Sequence, residues 1–451
     1  MTELDLWLGD RRVATVTERD RGRKVAIRYD ESVSAQVGNE VALLSCSLPT
    51  PGPSSPGAAR AFLEGLLPEG QALEQMAASV RTVRVQEGAP AEPGDVVALL
   101  AEYGRECAGA VSCAPSGEDV IHAGDYHPLD DRSLAGLIRN LPTHPLGVDP
   151  SRNIRMSLAG AQPKLLLARL GDDWYQPSGG AASTHILKPT DRWPDSARNE
   201  ALVMALARAC ALTPSASWLE DIDGRQVLVV ERYDRVVVGD RVERLHQEDL
   251  CQALAEGPRD KYHLGRPSER AARLLRRFAD DPILAIETLF RQIAFRALVG
   301  DEDGHGKNYS LLLTEGSVSL APLYDSLCTL AYPDLSGRMG MPIATASSLM
   351  QVDRHALLDE ARAMGIPAPA AAHGLDRLVE QLRAGIAELP PPVVSGWASD
   401  RVVGTITARL DRLEAGERLG DATGRSSSRR RPRQAATMSA QTVGDRGPQL
   451  S

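Results

Sequence analysis

The residues best suited to chemistry lie at positions 298–328, where a polar loop is followed by two short apolar strands. The loop carries Asp303, Lys307 and Asn308, and a further carboxylate, Asp325, follows the second strand. Two strands joined by a short turn pair antiparallel and return the chain to its starting level. We therefore expect the loop and Asp325 to lie together.

This combination predicts phosphoryl transfer. A kinase needs an aspartate that accepts the proton of the attacking hydroxyl, and an asparagine and a second aspartate that hold Mg²⁺ against the triphosphate of ATP. Asp303 and Asn308 are five residues apart, like the corresponding pair in the kinase loop D-x-x-x-x-N. Asp325 is the second candidate metal ligand, and Lys307 is a candidate for neutralising charge on the transferred group. The alternative is a polar loop that only links a helix to a hairpin.

The element that must position this loop is a helix. Its hydrophobic periodicity predicts that it starts near Pro282, ends at Val299 and is buried in the larger lobe. Each buried Leu or Ile side chain would contribute roughly 2 kcal/mol and so hold Asp303 in place. The residues that form the apolar stripe are Ile286, Leu289, Phe290, Ile293 and Ala297.

A second candidate site is the sequence SLAGAQPK, which begins at Ser157. Ala159, Gly160 and Ala161 are small enough to let backbone N–H groups approach phosphate oxygens, as in the phosphate-covering loop of a kinase. We expect strand, turn and strand here, and an ordinary hairpin would account for the same pattern.

A third candidate is Lys188, on a short strand at residues 184–189. A strand fixes an ammonium more firmly than a loop does, which suits a charge that bridges the α- and β-phosphates. Glu200 lies in the first turn of the next predicted helix. There its carboxylate either orients Lys188 or interacts favourably with the positive end of the helix dipole.

Five motifs in this order resemble the HipA family of serine/threonine kinase toxins: SLAGAQPK, HILKP, VERYDR, QEDLCQ, and DGHGKN with LYD. FLEGLLPEG and AEYGRECAGAV are similar to the amino-terminal subdomain of that family, so the resemblance covers nearly the whole chain except its final segment. It implies an ATP-dependent serine/threonine protein kinase that uses Mg²⁺.

The resemblance also implies roles for single residues. Asp303 is the base and Lys307 the second catalytic group, while Asn308 and Asp325 hold Mg²⁺. Ser157 is autophosphorylated, and its two new negative charges, repelled by the ATP phosphates, eject the loop and silence the enzyme. The residues expected to bind ATP are Ala159, Gly160, Ala161, Gln162, Lys164, Lys188, Glu231, Arg232, Tyr233, His305, Gly306, Lys307, Asn308, Tyr324 and Asp325. His305 either donates to a phosphate or caps the loop, and QEDLCQ receives no role.

The chain of 451 residues is long enough for two or three domains. We expect an α+β, protein-kinase-like fold of two lobes, with a small β-rich amino-terminal subdomain and a mainly helical carboxy-terminal lobe. The predicted units are an amino-terminal HipA-like subdomain (1–114), a connector (115–150), small-lobe elements with phosphate loop and hinge (151–235), a helical catalytic lobe (236–417) and a disordered basic tail (418–451).

Composition excludes several classes of protein. The net charge of −9 argues against a dedicated nucleic-acid binder. Six scattered cysteines without a C-x-x-C pair predict reduced thiols and no zinc site. Residues 1–20 lack the apolar run of a signal peptide and no stretch is long enough to span a membrane, so we expect a cytoplasmic protein. The tail, with its SRRRPR cluster, is better explained as solvated chain than as a contact for nucleic acid or an acidic partner.

The resemblance further implies partners. These are a helix-turn-helix antitoxin, with DNA contacted only through it, and a protein substrate such as an aminoacyl-tRNA synthetase. Two other functions stay open. One is a pseudokinase-like binding module that holds a DNA-binding repressor. The other is a small-molecule or lipid kinase, because the D-x-x-x-x-N arrangement suits those acceptors as well as it suits a protein.

Overall fold

The computed structural model describes residues 3–19, 24–52, 54–86, 94–118, 124–149, 152–160, 162–190, 193–239, 241–314, 316–389 and 397–420. Of the predicted basic tail, residues 421–451 lie outside these ranges, as does Ala161 of the phosphate loop. Within the described ranges, no helix combines the length and the apolar character that crossing a bilayer requires.

The amino-terminal part is an antiparallel four-stranded sheet, in the order β3-β2-β1-β4, packed against helices. The alternating side chains of Val25, Ile27 and Tyr29 on strand β3 are all buried. After Tyr29 the chain leaves the sheet and forms helix α1. In chain order the elements are β1 (Glu3–Leu8), β2 (Arg11–Arg19), β3 (Lys24–Tyr29), α1 (Glu31–Val37), α2 (Pro56–Gly65), α3 (Gly70–Gln86), α4 (Val96–Tyr103) and β4 (Val111–Pro115).

The next part is a six-stranded antiparallel sheet in the order β5-β7-β6-β8-β10-β9. The segment predicted as a connector supplies its edge strand β5 and helix α5. In place of the strand expected before the phosphate loop there is one bridge, between Asp149 and Ile154. The elements are β5 (Tyr126–Leu129), α5 (Asp131–Asn140), β6 (Leu165–Leu170), β7 (Asp173–Pro177), β8 (His185–Pro189), α6 (Ser196–Ala209), β9 (Ser217–Ile222) and β10 (Arg225–Glu231).

The carboxy-terminal part is mainly helical and holds the largest hydrophobic core, to which α6 also contributes. Helix α9 lies within this core, and a three-stranded sheet in the order β13-β14-β15 flanks it. Its elements are β11 (Arg235–Val238), β12 (Arg241–Arg244), β13 (His246–Asp249), α7 (Leu250–Ala253), α8 (Pro267–Phe278), α9 (Pro282–Val299), β14 (Ser310–Thr314), β15 (Ser317–Leu320), β16 (Arg338–Ile343), β17 (Ala346–Ser348), α10 (Arg354–Ala363), α11 (Ala368–Ala387) and α12 (Trp397–Glu414).

Helix α9 delivers the polar loop, as its periodicity predicts. It starts with Pro282 after the N-cap Asp281, whose side chain accepts a hydrogen bond from the amide of Leu284, and it ends at Val299. Gly300 then adopts the left-handed conformation that terminates helices, with φ of 79°. The polar loop starts at the next residue, Asp301.

Candidate active site

Arg296, near the end of α9, ties the polar loop to the segment around Asp325. Its guanidinium is 2% exposed and forms an ion pair with Asp301 at 2.5 Å. It also donates to the main-chain oxygens of Asp325 at 2.8 Å, Tyr324 at 2.6 Å and Asn308 at 3.3 Å. Sequence reasoning missed this residue, although an arginine three positions after Ile293 on an apolar helix face was a signal.

Asn308 and Asp325, the predicted metal ligands, lie side by side. Nδ2 of Asn308 donates to Oδ2 of Asp325 at 3.2 Å, and its Oδ1 is buried without a hydrogen-bond partner among the described residues. A carboxylate beside an unpaired carboxamide oxygen fits Mg²⁺, which prefers oxygen ligands. Asp325 has φ of 67°, a conformation that is costly for a non-glycine residue and that clusters at functional sites.

Lys188 joins the same group from strand β8. Its Nζ lies 2.5 Å from Oδ1 of Asp325 and 2.7 Å from Oε1 of Glu200, so Glu200 orients the lysine. Burial opposes the charge on Asp325, but Lys188, Lys164 and Arg296 outweigh it and hold the pKa of Asp325 well below its usual range. Burial raises the pKa of Glu200 to about 7, against the opposing effect of Lys188.

Asp303, the predicted base, is an exposed residue at the opening of the loop. Its Oδ1 accepts a hydrogen bond from the hydroxyl of Tyr262 at 2.8 Å, and its amide donates to Asp301 at 3.0 Å. The pKa of Asp303 is raised to about 6, first by the loss of water around its carboxylate and then by the charges of Asp301 and Asp325. Tyr262 was not identified from the sequence.

Lys307 is buried and paired with Asp249, whose Oδ2 lies 2.5 Å from the lysine Nζ. Asp249 also caps α7 through the amide of Gln252 at 2.9 Å. The neighbouring Glu248 accepts hydrogen bonds from Ser45 and from the amide of Cys46 in the amino-terminal part. The QEDLCQ motif, which had no role in the sequence analysis, therefore anchors both the loop and the amino-terminal subdomain.

The predicted ATP contacts His305 and Gly306 are buried in the loop. Burial lowers the pKa of His305 to about 3, so its ring is neutral near pH 7, and its Nδ1 has no hydrogen-bond partner among the described residues. A Cβ on Gly306 would lie 2.5 Å from Cδ1 of Leu264 and 2.8 Å from Sγ of Cys251. Glycine is therefore required by packing at this position.

Tyr233 and Tyr324 pack against each other, with ring centroids 5.5 Å apart. The hydroxyl of Tyr324 donates to the main-chain oxygen of Lys307 at 2.7 Å, and that of Tyr233 donates to Gln247 at 2.8 Å. The two rings thus bring residues 231–233, the predicted hinge between the lobes, next to the polar loop.

The phosphate loop is folded against the amino-terminal part. Ser157 is fully buried, and its hydroxyl donates to the main-chain oxygen of Leu66 at 2.7 Å. Gly160 has φ of 112°, a conformation that favours glycine, and its oxygen accepts from the amide of Glu69 at 3.3 Å. Gln162, the next residue described, is half-buried.

Lys164 closes this loop, because its ammonium donates to the main-chain oxygen of Ala159 at 2.8 Å. Burial, followed by the positive charge of Lys188, lowers the pKa of Lys164 to about 8. Two of the lysines predicted to bind phosphate are therefore close enough to influence each other.

The side chain of Arg232 belongs to a separate network of buried ion pairs. It is buried and forms ion pairs with Glu106 at 3.1 Å and with Asp234 at 2.8 Å. Arg235 also binds Glu106, at 2.9 Å. Glu231, the preceding hinge residue, is exposed. This network fastens the hinge to the amino-terminal subdomain and does not bring Arg232 to the other predicted ATP contacts.

The fold and the site together define a two-lobed kinase, with a lysine–glutamate pair in one lobe and, in the other, a loop that carries Asp303 and Asn308 beside Asp325. Comparison with known proteins agrees. Residues 4–114 match the HipA N-terminal domain, and residues 156–386 match the HipA-like C-terminal domain. The chain belongs to the HipA family of serine/threonine-protein kinases, which confirms the predicted family, fold class and enzyme class.

Two relatives and one solved structure illustrate this relationship. Y4mE of Sinorhizobium fredii, named as an inferred kinase, is 36% identical over 86% of this chain and 91% of its own length. Serine/threonine-protein kinase toxin HipA of Shewanella oneidensis is 26% identical over 77% of this chain and 82% of its own. A solved complex of Shewanella oneidensis HipA with HipB and operator DNA matches with a TM-score of 0.75 and 25% identity, over 93% of this chain and 98% of that one.

Proposed function

We propose that this chain transfers the γ-phosphoryl group of ATP to serine or threonine residues of a protein, with Mg²⁺ as the cofactor. One observation carries this proposal. Asp325 contacts both Lys188, at 2.5 Å, and Asn308, at 3.2 Å, so that a phosphate clamp and two oxygen ligands for a cation meet at one carboxylate. Asp303 is close enough for Asp325 to raise its pKa.

Each residue has a role that follows from its surroundings. Mg²⁺ held by Asn308 and Asp325 would neutralise charge on the phosphates of ATP. Lys188, kept charged by Glu200, would bind phosphate oxygens as a point charge. Asp303 would accept the proton of the attacking hydroxyl. Its pKa of about 6 leaves it deprotonated at neutral pH and still basic enough to take that proton.

We also propose that the enzyme phosphorylates its own Ser157. The buried hydroxyl of Ser157 is bonded to Leu66, so the phosphate loop must leave its position before transfer. A bond then forms between Oγ and the γ-phosphorus, the bond from that phosphorus to the ADP oxygen breaks, and the hydroxyl proton passes to Asp303. The product carries about two negative charges, which a fully buried position cannot accommodate, so the loop stays displaced and the enzyme is inactive.

The family supports a biological setting as well. We propose that this chain is the toxin of a toxin-antitoxin pair in the cytoplasm, because the HipA of Shewanella oneidensis forms a complex with HipB and operator DNA. Its partner would be a helix-turn-helix antitoxin that carries the contact with DNA. Its substrate would be a protein of translation, such as an aminoacyl-tRNA synthetase.

Incubation of the protein with γ-labelled ATP and Mg²⁺, followed by phosphosite mapping, tests the proposed function. We expect label on Ser157 and on a protein of a cell lysate. The Asp303→Asn variant should incorporate none while it keeps its melting temperature, because it loses only the proton acceptor. Asp172→Asn, which changes a fully exposed carboxylate in the β6–β7 turn, is the matched control and should label normally. Label found only in small molecules, or none with the wild type, would overturn the proposal.

A further inference from the structure

Tyr262 is a large side chain in an unusual place. It follows the short 3₁₀ turn Pro258–Asp260 and is 45% exposed, although its hydroxyl makes a hydrogen bond of 2.8 Å to Oδ1 of Asp303. An aromatic ring that served only the core would be buried. A ring that stays at the surface and binds the predicted base, Asp303, is in a position to affect the reaction.

The ring of Tyr262 is contacted by two neighbouring side chains. The ring of His305 meets it edge-on at 5.0 Å, and Nζ of Lys261 lies 5.1 Å from its centroid. Lys261 is held in turn by an ion pair with Glu69 at 2.7 Å, and its main-chain oxygen accepts from the amide of Gly306 at 3.3 Å. The hydroxyl of Tyr262 therefore reaches Asp303 from a fixed direction.

We propose that Tyr262 is a positioning residue for phosphoryl transfer. Its hydroxyl donates a hydrogen bond to Oδ1 of Asp303. None of the described residues donates to Oδ2, and this second oxygen takes the proton of the acceptor hydroxyl. This inference rests on the proposed function, in which Asp303 is the base. A carboxylate held at one oxygen loses its freedom to rotate, so its second oxygen stays in the geometry that proton transfer needs.

The hydrogen bond has a further consequence for the acidity of Asp303. Loss of water around the carboxylate raises its pKa, as do Asp301 and Asp325, whereas the hydroxyl of Tyr262 and the charge of Lys261 lower it. Removal of the hydroxyl therefore raises the pKa of the base. The acidic limb of the rate against pH should move to higher pH, a result that a purely structural role for Tyr262 would not produce.

Tyr262→Phe tests this proposal because it keeps the ring and deletes one oxygen. The measurement is the rate of autophosphorylation with γ-labelled ATP and Mg²⁺, across ATP concentrations and from pH 5 to 9. We expect the rate at saturating ATP to fall about tenfold. The ATP concentration for half-maximal rate should not change, since the contacts of Tyr262 with the described residues are to Asp303, His305 and Lys261 and not to Lys188, Asn308 or Asp325. The acidic limb should shift upward.

Tyr126→Phe is the matched control. Tyr126 is half-buried, and like Tyr262 it uses its hydroxyl in a hydrogen bond, which it donates to the main-chain oxygen of Ala182 in the small lobe at 3.0 Å. It should keep the wild-type rate and pH profile. Two results would overturn the inference: a Tyr262→Phe variant with wild-type rate and pH profile, or one whose rate, half-maximal ATP concentration and melting temperature all change together. A wild type that transfers no phosphate would overturn the proposed function itself, and this inference with it.

Discussion

Lys188 and Asp325 are 137 residues apart in the chain, and the Nζ of one lies 2.5 Å from the Oδ1 of the other. The lysine belongs to strand β8 of the small lobe, and the aspartate follows strand β15 of the large lobe. Each stabilises the charged form of its partner, since Asp325 also raises the pKa of Lys188 against the effect of burial. This ion pair therefore sets the relative position of two groups that the proposed function assigns to one nucleotide.

Replacement of Lys188 by methionine should weaken nucleotide binding and lower the melting temperature. It would leave two carboxylates, Glu200 and Asp325, without their cation, and loss of one partner of a buried pair costs about 3–5 kcal/mol. Titration calorimetry with Mg²⁺ and ADP measures the affinity, which we expect to fall at least a hundredfold. Lys24→Met, at an exposed position on β3, is the control and should bind as the wild type does. Wild-type affinity in Lys188→Met would contradict the assigned role.

The buried pair of Lys307 and Asp249 should behave as a unit. Lys307→Met and Asp249→Asn should each lower the melting temperature, because each leaves a buried partner without its counter-ion. The double variant should lose less than the sum of the two, with a coupling of about 1 kcal/mol or more. Thermal unfolding of all four proteins provides the cycle. Additive effects would show that the two side chains do not interact in solution.

Gly306→Ala should displace the polar loop that carries Asp303 and Asn308. The added Cβ would approach Leu264 and Cys251 to less than 3.0 Å, so the loop would have to move away from α7. We expect the rate of phosphoryl transfer to fall at least tenfold, with a lower melting temperature. Gly404→Ala in α12 is a matched control, since a Cβ there meets no atom within 4 Å, and it should be neutral or stabilise by up to about 1 kcal/mol. Equal behaviour of both variants would argue against tight packing at Gly306.

Glu106→Gln should loosen the attachment of the amino-terminal subdomain. Burial disfavours the Glu106 carboxylate, but Arg232, Arg235 and Arg244 outweigh it and keep its pKa below the ordinary 4.5. Because folding depresses this pKa, the stabilisation is present above pH 4.5 and is lost as the pH falls. We expect a large drop in melting temperature at pH 7 and a smaller one at pH 4. A difference that did not depend on pH would contradict a contribution from the charge.

The reaction of the wild type should slow as the pH falls through about 6, the pKa of Asp303. A base acts only when deprotonated, so each unit of pH below this value should reduce the rate about tenfold. The rate of label incorporation from pH 4.5 to 8 at saturating ATP measures this limb, with the melting temperature followed in the same buffers. An unchanged rate at pH 5 would exclude Asp303 as the base.

Much of the fold was predictable because its signals are local. Periodicity located α9 with its end at Val299, and α4 runs between the N-cap Asp95 and the C-cap Gly104, residue types typical of helix ends. Helix α1 and strand β5 were missed for the opposite reason. A short helix such as α1 depends on packing more than on propensity, and an edge strand such as β5 depends on a partner, β7, that is distant in sequence.

The sequence by itself determined which groups we assign to the chemistry: Asp303 and Asn308 by their spacing, Lys188 by its place on a strand, and Asp325 by its place after the hairpin. Only the tertiary structure decided what holds those groups. Arg296 binds both the loop and the segment around Asp325, Lys307 is paired with Asp249, and Tyr262 donates a hydrogen bond to Asp303. The physical reason is that hydrogen bonds and ion pairs act over a few ångströms in space, whatever the distance along the chain. A linear pattern records which polar groups are present and not which of them meet.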